Sequence, residues 1–578
     1  MPLPFHSRRP AQVAAATGTA LLLLIIAGGG CHRSQRAPLA AKSIAGSTLN
    51  LVEQSEQRQP AAGPAPMPQT DLSMRYAGAV AGAGVPGGCA VPGFPAPPPP
   101  GAPAWNTESY GRVDENPFQA VAQEPLSTFG IDVDTASYSN VRRFLQGGSL
   151  PPKDAVRVEE LLNYFHYEYP APRGEEPFSV NTEVLACPWQ PRHRLVRIGL
   201  QGRRVDLAAL PPRNLVFLID VSGSMGEENK LPLVQRGLQR LCGTLRPQDY
   251  VAIVVYAGST GVVLEPTSGR DQERIQGVIG ALRSGGGTNG EGGIQLAYRI
   301  ARKQFRPGAD NRVLLCTDGD FNLGVTDQGS LLRLVEAQRS SGVFLTVLGF
   351  GMGNIKDATL VQLADRGNGH YAYIDTLPEM EKVFGEGGAS LVTIAKDVKI
   401  QVEFNPAKVQ AYRLIGYEKR LLAKTDFHDD SKDAGEINAG HAVTALFELV
   451  PPGVAMKLPQ VDALKYQTVA KPDRAPSAEL LTVKLRYKAP DSATSKLQTC
   501  PVPDRTLDLA QASPDARFAT AVAAYGLLLR TSPHRGSATF DQAFTLAKEA
   551  LGNDPRGERS EFLALVRKAG TLTKAVQN

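Results

Sequence analysis

Between about residues 213 and 374 the chain repeats one arrangement, in which a strand-length apolar run is followed by a stretch of helical periodicity and then by another run. The runs are "LVFLID", "YVAIVVY", "RVLLCTD", "VFLTVLGF" and "HYAYI". None alternates strictly with polar residues, as a strand with one wet face must, so each is read as a strand covered on both faces. Between the first two, Leu231, Val234, Leu238 and Leu241 recur at helical spacing while Arg236, Gln239 and Arg240 point elsewhere. Alternation of this kind predicts an α/β fold with a doubly wound, mostly parallel sheet and helices on both faces. "GVVLEP" is expected to form a short antiparallel edge strand.

In such a sheet ligands bind beyond the carboxyl ends of the strands, where the winding direction reverses. Three polar clusters fall at such ends. Asp220 closes the first run, with Ser222 and Ser224 in the turn after it; "SGGGTNGEGG" sets Thr288 in a glycine-rich loop; "LLCTDGDFN" puts Asp318 at the end of another buried strand. Together they offer three neutral hydroxyls and two carboxylates, all hard oxygen donors. Magnesium prefers octahedral oxygen coordination at about 2.0–2.1 Å and tends to keep waters, which suits a shallow site of this composition; manganese is the alternative ion. Alone, the first cluster also fits a Ser-rich turn that caps the following helix, and it is the conjunction of three clusters in register that favours a metal site. Asp320 and Asn322 read as turn formers, and Glu291 as a solvated loop acid.

The clusters D-x-S-x-S, G-G-T and T-D-G, in this order, resemble the metal-ion-dependent adhesion site of von Willebrand factor type A domains, with all five positions intact. The resemblance implies that Ser222 and Ser224 bind the metal directly, Thr288 directly or through water, and Asp220 and Asp318 mainly through water and hydrogen bonds. It also implies an electrophilic ion whose open position accepts a carboxylate from a protein partner. Beyond this domain, "FGIDVDTASYSNVRRFL", "PPKDAVRVEELLNYFHYEYP" and "YRLIGYEKRLL" are similar to bacterial YfbK-type lipoproteins, in which the type A domain has companions on either side.

The flanks read differently from the centre. Val196, Ile198 and Leu200 alternate with polar or small residues, as do Val398, Ile400, Val402 and Phe404, and Val483, Leu485 and Tyr487. These are half-buried strands, and each side alone offers too few to close a core. The expectation is therefore one β-sandwich built from both sides of the insert. "DARFATAVAAYGLLLR", "FDQAFTLAKEAL" and "SEFLALVRKAG" are expected as amphipathic helices packed on the body, and Val158, Leu161, Leu162 and Phe165 mark a further helical face.

Residues 1–112 are of another kind. Arg8 and Arg9 precede an apolar or small stretch from Val13 to Ala27, followed by Gly28-Gly29-Gly30-Cys31. The stretch is shorter than the ~20 residues a membrane-spanning helix needs and reads as a secretory signal. Its end resembles a lipobox in which Cys31 becomes the acylated first residue of the mature chain, with Gly28 where such motifs usually carry Leu; ordinary cleavage and a short uncleaved anchor are the alternatives. The Ala-, Pro- and Gly-rich sequence from His32 to about Gly111 has few large apolar residues to bury and reads as an extended tether. The expected organisation is a signal peptide over 1–31, a tether over 32–112, a companion domain over 113–205, the type A domain over 206–390 and a second companion over 391–578.

Composition narrows the function. In 578 residues, 62 basic and 57 acidic side chains leave a formal charge of only +5, without a long basic run interleaved with aromatics, so nucleic acid is not the expected partner. The six cysteines include no C-x-x-C pair, which disfavours structural zinc and thiol redox chemistry. Cys242 and Cys316 sit in apolar runs and read as buried thiols, whereas Cys187 and Cys500 are open either to remaining free or to bridging. "DVDTA" lacks the threonine of a phosphotransferase motif, no G-x-S-x-G surrounds Ser224, and no general base accompanies the oxygen cluster. The leading expectation is a non-catalytic binding protein of the bacterial cell envelope, lipid-anchored on the periplasmic or outer-membrane side, that engages a protein carboxylate through magnesium. A scaffold with a purely structural ion and a magnesium-dependent hydrolase are the alternatives.

Overall fold

The structure, a computed structural model, describes residues 108–131, 134–206, 210–288, 290–319, 328–353, 355–384, 392–432, 434–456, 477–490 and 492–577. The leader through Cys31, the tether as far as residue 107, Asp320 and Asn322 lie outside the described residues. In chain order the N-terminal part supplies β1 (Gln119–Ala120), β2 (Leu126–Gly130), α1 (Ala136–Gln146), α2 (Val158–Asn163), β3 (Phe178–Ala186) and β4 (Arg194–Gly202). The central part is β5 (Arg213–Asp220), α3 (Leu231–Cys242), β6 (Tyr250–Tyr256), β7 (Thr260–Ser268), α4 (Gln272–Ala281), α5 (Gly290–Lys303), β8 (Asp310–Thr317), α6 (Gln328–Arg339), β9 (Phe344–Phe350), α7 (Asp357–Arg366), β10 (Tyr371–Ile374) and α8 (Leu377–Phe384). The C-terminal part adds β11 (Thr393–Phe404), β12 (Ala411–Ile415), β13 (Ile437–Asn438), β14 (Ala442–Val450), β15 (Glu479–Lys488), β16 (Ser495–Pro503), α9 (Pro514–Leu529), α10 (Phe540–Glu549) and α11 (Glu558–Gln577).

The central sheet runs β10-β9-β8-β5-β6-β7 and is parallel except for the edge strand β7. Successive side chains of β5 enter two cores. Val216 and Leu218 pack with Ile294, Ala297 and Leu360 on one face, and Leu215, Phe217 and Ile219 pack with Val234, Leu238 and Met380 on the other. This double burial is why the run has no polar beat. On the second face α3 and α8 approach closely at Gly237, where an added Cβ would lie 1.8 Å from the Met380 sulfur. The chain steps from β5 to β6 and β7 on one side and returns to β8, β9 and β10 on the other, so the winding reverses between β5 and β8.

Two further sheets draw on both sides of the insert. One runs β1-β12-β14-β4-β3, with β14 antiparallel to β4 from Ala442 opposite Gln201 to Leu449 opposite Arg194. The other contains β13, β11, β15 and β16, and β2 also pairs with β11. Val196, Ile198, Leu200, Ile400, Val402 and Leu485 meet in the shared core. The chain leaves and re-enters this sandwich at one place: the Gly440 amide donates to the Arg203 carbonyl at 3.0 Å, and the Ala439 amide to the Val392 carbonyl at 2.8 Å.

Two elements depart from the expected pattern. Strand β4 is buried on both faces rather than half-buried, because its outer face carries Leu195 into a second core with Leu185, Trp189 and Phe518 beneath the C-terminal helices. Arg197 on that face is buried as well, with its guanidinium 4.6 Å from the Tyr169 ring centre and 3.1 Å from Glu183. Helix α9 is buried around nearly its whole circumference, as the central member of a helical layer rather than an amphipathic surface helix.

Buried arginines fasten the α/β domain to its companions. Arg142 of α1 reaches Asp375 at 2.5 Å, Glu379 of α8 at 2.8 Å and Glu561 of α11 at 3.1 Å. Arg157, just before α2, pairs with Glu160 and with Asp357 of α7, the latter at 2.8 Å. Asp134, in the "DVDTA" segment, is a splice of the same kind: it accepts the Tyr371 amide at 2.7 Å and Arg420 at 3.3 Å. Asp357→Ala leaves Arg157 buried without that partner, and a loss of about 3–5 kcal/mol is expected in urea unfolding; a change below 1 kcal/mol would contradict this role.

At the amino edge of the sheet, Asp249 accepts Arg213 at 2.7 Å and Arg246 at 3.0 Å. Burial alone would raise the Asp249 pKa, but hydrogen bonds from Arg246 and Arg213 outweigh it and hold the carboxyl down at about 2. The folded value lies below the unfolded one, so the stabilisation is complete above about pH 4 and is lost as pH falls through about 2, a contribution of roughly 2 kcal/mol. Asp249→Asn is expected to flatten the acid-side fall in urea midpoint over that window, and an unchanged slope would refute the assignment.

Candidate metal centre

Asp220 is the last residue of β5, and the parallel register sets it opposite Tyr256 of β6 and beside the end of β8. Its carboxylate is fully buried. One oxygen accepts the Ser222 amide at 2.9 Å, which closes a tight turn, and the other accepts the Thr317 hydroxyl at 3.4 Å. The Tyr256 hydroxyl lies against the same carboxylate. Burial, reinforced by the charge of Asp318, pushes the Asp220 carboxyl up to about 6 against the hydrogen bonds from Ser222.

The turn after β5 brings the Ser222 and Ser224 hydroxyl oxygens to 3.1 Å from each other. Ser222 is buried and Ser224 half-buried. Two backbone bonds clamp the glycine-rich loop onto this turn: the Gly223 amide donates to the Gly286 carbonyl at 3.1 Å, and the Gly285 amide to the Val221 carbonyl at 2.8 Å. Gly286 has φ +83°, a conformation that a side chain would strain. Thr288 follows on that loop, half-buried, just ahead of α5. Among the described residues no hydrogen bond joins its hydroxyl to either serine.

Asp318 follows β8 and is 1% exposed. One of its oxygens accepts the Lys230 ammonium at 3.1 Å, and the same ammonium donates to the Ser224 carbonyl at 2.9 Å. Gly319, with φ +91°, donates its amide to the Thr317 hydroxyl at 3.2 Å. The loops carrying Asp220, Ser222, Ser224, Thr288 and Asp318 thus meet at the carboxyl edge of the sheet, where the winding reverses. Hydrogen bonds tie Asp220 to Thr317 and, through Lys230, Asp318 to the Ser224 loop, while Thr288 is placed by its loop alone.

Three neighbours were not legible as site residues. Thr317 was visible only as part of the T-D-G cluster, Tyr256 only as the aromatic end of "YVAIVVY", and Lys230 only as the polar residue before a helix. Among the described residues there is no group of three His, Cys, Asp or Glu side chains disposed to hold a metal; the cluster at this edge is instead one of hydroxyls with two carboxylates. Cys187 and Cys500 are free thiols, as are Cys242 and Cys316. No helix among the described residues is long and apolar enough to cross a membrane.

A doubly wound sheet with these loops at its switch point defines the class as von Willebrand factor type A, and residues 214–386 match the von Willebrand factor type A domain family. Residues 104–197 match a family described as von Willebrand factor, and residues 389–572 match one described as "Uncharacterized protein YfbK, C-terminal". The chain is 44% identical over 482 residues to the uncharacterized protein YfbK of Escherichia coli (strain K12), covering 82% of each. It belongs to the YfbK family. Human inter-alpha-trypsin inhibitor heavy chain H4 is 28% identical over 161 residues, which span 26% of this chain and 17% of that one. Among solved structures, a von Willebrand factor type A protein from Catenulispora acidiphila is 17% identical and covers 65% of this chain and 87% of its own, with a TM-score of 0.36. A type A domain suggests protein–protein interaction or adhesion.

Proposed function

We propose that the chain is a membrane-tethered, non-catalytic binding protein of the bacterial cell envelope that engages an exposed carboxylate of a protein partner at a magnesium site formed by Asp220, Ser222, Ser224, Thr288 and Asp318. The observation that carries this reading is the pair of serine hydroxyls 3.1 Å apart, in a turn whose neighbouring strand ends carry two buried carboxylates. Adjacent corners of an octahedron with bonds of about 2.0–2.1 Å are about 2.9 Å apart, so the two hydroxyls fit neighbouring positions around a magnesium or manganese ion with little adjustment. A desolvated carboxylate such as Asp220 also gains from a nearby cation, since burial is what raises its pKa.

In this reading Ser222 and Ser224 are direct ligands, Thr288 binds directly or through water, and Asp220 and Asp318 hold the surrounding waters and hydroxyls in place. When bound, the ion supplies a Lewis-acidic position open to an anionic oxygen. The chain's own task is to present that position rigidly. Asp220 fixes the turn through the Ser222 amide, and the Gly285 and Gly286 bonds keep the third loop against it. Both carboxylates are engaged by neighbours, Asp220 by Ser222 and Thr317 and Asp318 by Lys230. This favours binding over general-base chemistry.

Attachment to the membrane rests on Cys31 as an acylated residue. Cells fed labelled palmitate are expected to label the wild-type chain and not Cys31→Ala; label retained in the variant would remove the anchor. The metal reading is tested by calorimetry on Ser222→Ala/Ser224→Ala. Magnesium affinity is expected to fall at least about tenfold with an unchanged far-ultraviolet circular dichroism spectrum, and undiminished uptake would overturn the site.

A further inference from the structure

The proposed ion socket already contains a positive charge supplied by the chain itself. Lys230 is 2% exposed, and its ammonium clasps the Asp318 carboxylate and the Ser224 carbonyl together. Its stem is equally confined. It runs against the backbone at Gly351, where φ is +74° and an added Cβ would lie 2.2 Å from Cε and 2.7 Å from Cγ. No other residue type fits at position 351 while Lys230 keeps this course.

The Gly351–Gly353 turn is itself held both from within the α/β domain and from the N-terminal side. The Gly351 carbonyl accepts the Tyr373 hydroxyl at 2.6 Å. Two residues on, the Gly353 amide donates to Glu108 at 2.7 Å, and Glu108 pairs with Arg143 of α1 at 2.8 Å. The ammonium is therefore a built part of the socket rather than the free end of a flexible side chain.

Its charge changes what the socket is after an ion binds. Asp220, Asp318 and Lys230 sum to one negative charge, and a divalent cation turns this to one positive charge. Without the ammonium the same loaded socket would be neutral. Glu227 stands 3.8 Å from the ammonium, but its side chain is 63% exposed and water screens it.

We propose that Lys230 is the specificity-determining residue of this site: it lowers the affinity for the divalent ion and, by keeping the loaded socket net positive, raises the affinity for an anionic carboxylate. The inference rests on the magnesium reading above. At the effective dielectric of about 20 that applies near a protein surface, a neighbouring unit charge shifts the binding of a divalent ion by at least about tenfold.

Two variants of the full chain test it. Lys230→Met keeps the length of the stem and removes the charge, and Lys230→Arg keeps the charge. Magnesium affinity is read by calorimetry, and acetate is titrated into the manganese-loaded protein while the electron paramagnetic resonance spectrum of the ion is followed. Lys230→Met should bind magnesium at least about tenfold tighter and acetate several-fold weaker, while Lys230→Arg stays near wild type in both. A variant that merely loosened the loops would weaken both affinities together, so opposite shifts separate the electrostatic role from a structural one. Should Lys230→Met fail to fold, Lys230→Gln, which is uncharged and keeps a polar donor on a shorter stem, reads the same two affinities. Wild type that binds the ion as tightly as the neutral variants, or acetate that binds them equally well, overturns the role of Lys230 and leaves the metal site standing. No ion uptake by wild type or any variant overturns both.

Discussion

Every residue of β5 before its last must be apolar or paired, because helices cover both faces of the sheet and parallel neighbours take both edges of the strand. Val216 and Leu218 are consumed by one core and Leu215, Phe217 and Ile219 by the other, and Arg213 and Asn214 are tied into bonds at the amino edge. The first position released from this constraint is Asp220, at the carboxyl edge. The same geometry releases β8 at Asp318 and β6 beyond Tyr256. Because the winding reverses between β5 and β8, no crossover helix fills the crevice there, and polar loops from distant parts of the sequence can meet.

The companions do more than flank this domain. Arg142 of α1, Arg157 just before α2 and Asp134 just before α1 join the N-terminal part to α8, α7 and β10 through buried ionic or backbone bonds. Ions buried in this way are costly to leave unpaired, which favours one mutual orientation over a loosely tethered one. Glu108 and Arg143 extend the connection to the Gly351–Gly353 turn and thus to the neighbourhood of Lys230. The candidate site is therefore shaped partly by residues that precede the α/β domain in sequence.

What the sequence made legible follows the range of the interactions. The doubly wound sheet, its antiparallel edge strand and the D-x-S-x-S turn are encoded within short windows, by apolar periodicity and by the bond between Asp220 and the Ser222 amide. Lys230 escaped because its partner Asp318 lies 88 residues away and only the folded sheet brings them together. Strand β4 was misjudged for a related reason: the alternation of Val196, Ile198 and Leu200 records one buried face, while the small and long polar residues between them conceal a second face covered by helices from the far end of the chain. In α9, Ala and Gly positions blurred the apolar stripe that would have marked full burial.

The central claim is that three separated stretches of chain supply hydroxyl and carboxylate oxygens to one divalent cation. The most direct measurement is anomalous diffraction from crystals of the intact folded region soaked in manganese. The account predicts a single strong peak within bonding distance of the Ser222 and Ser224 hydroxyls, lost when both serines are replaced by alanine. A peak bound elsewhere, or crystals of the wild-type protein that take up no manganese at this edge of the sheet, would contradict it.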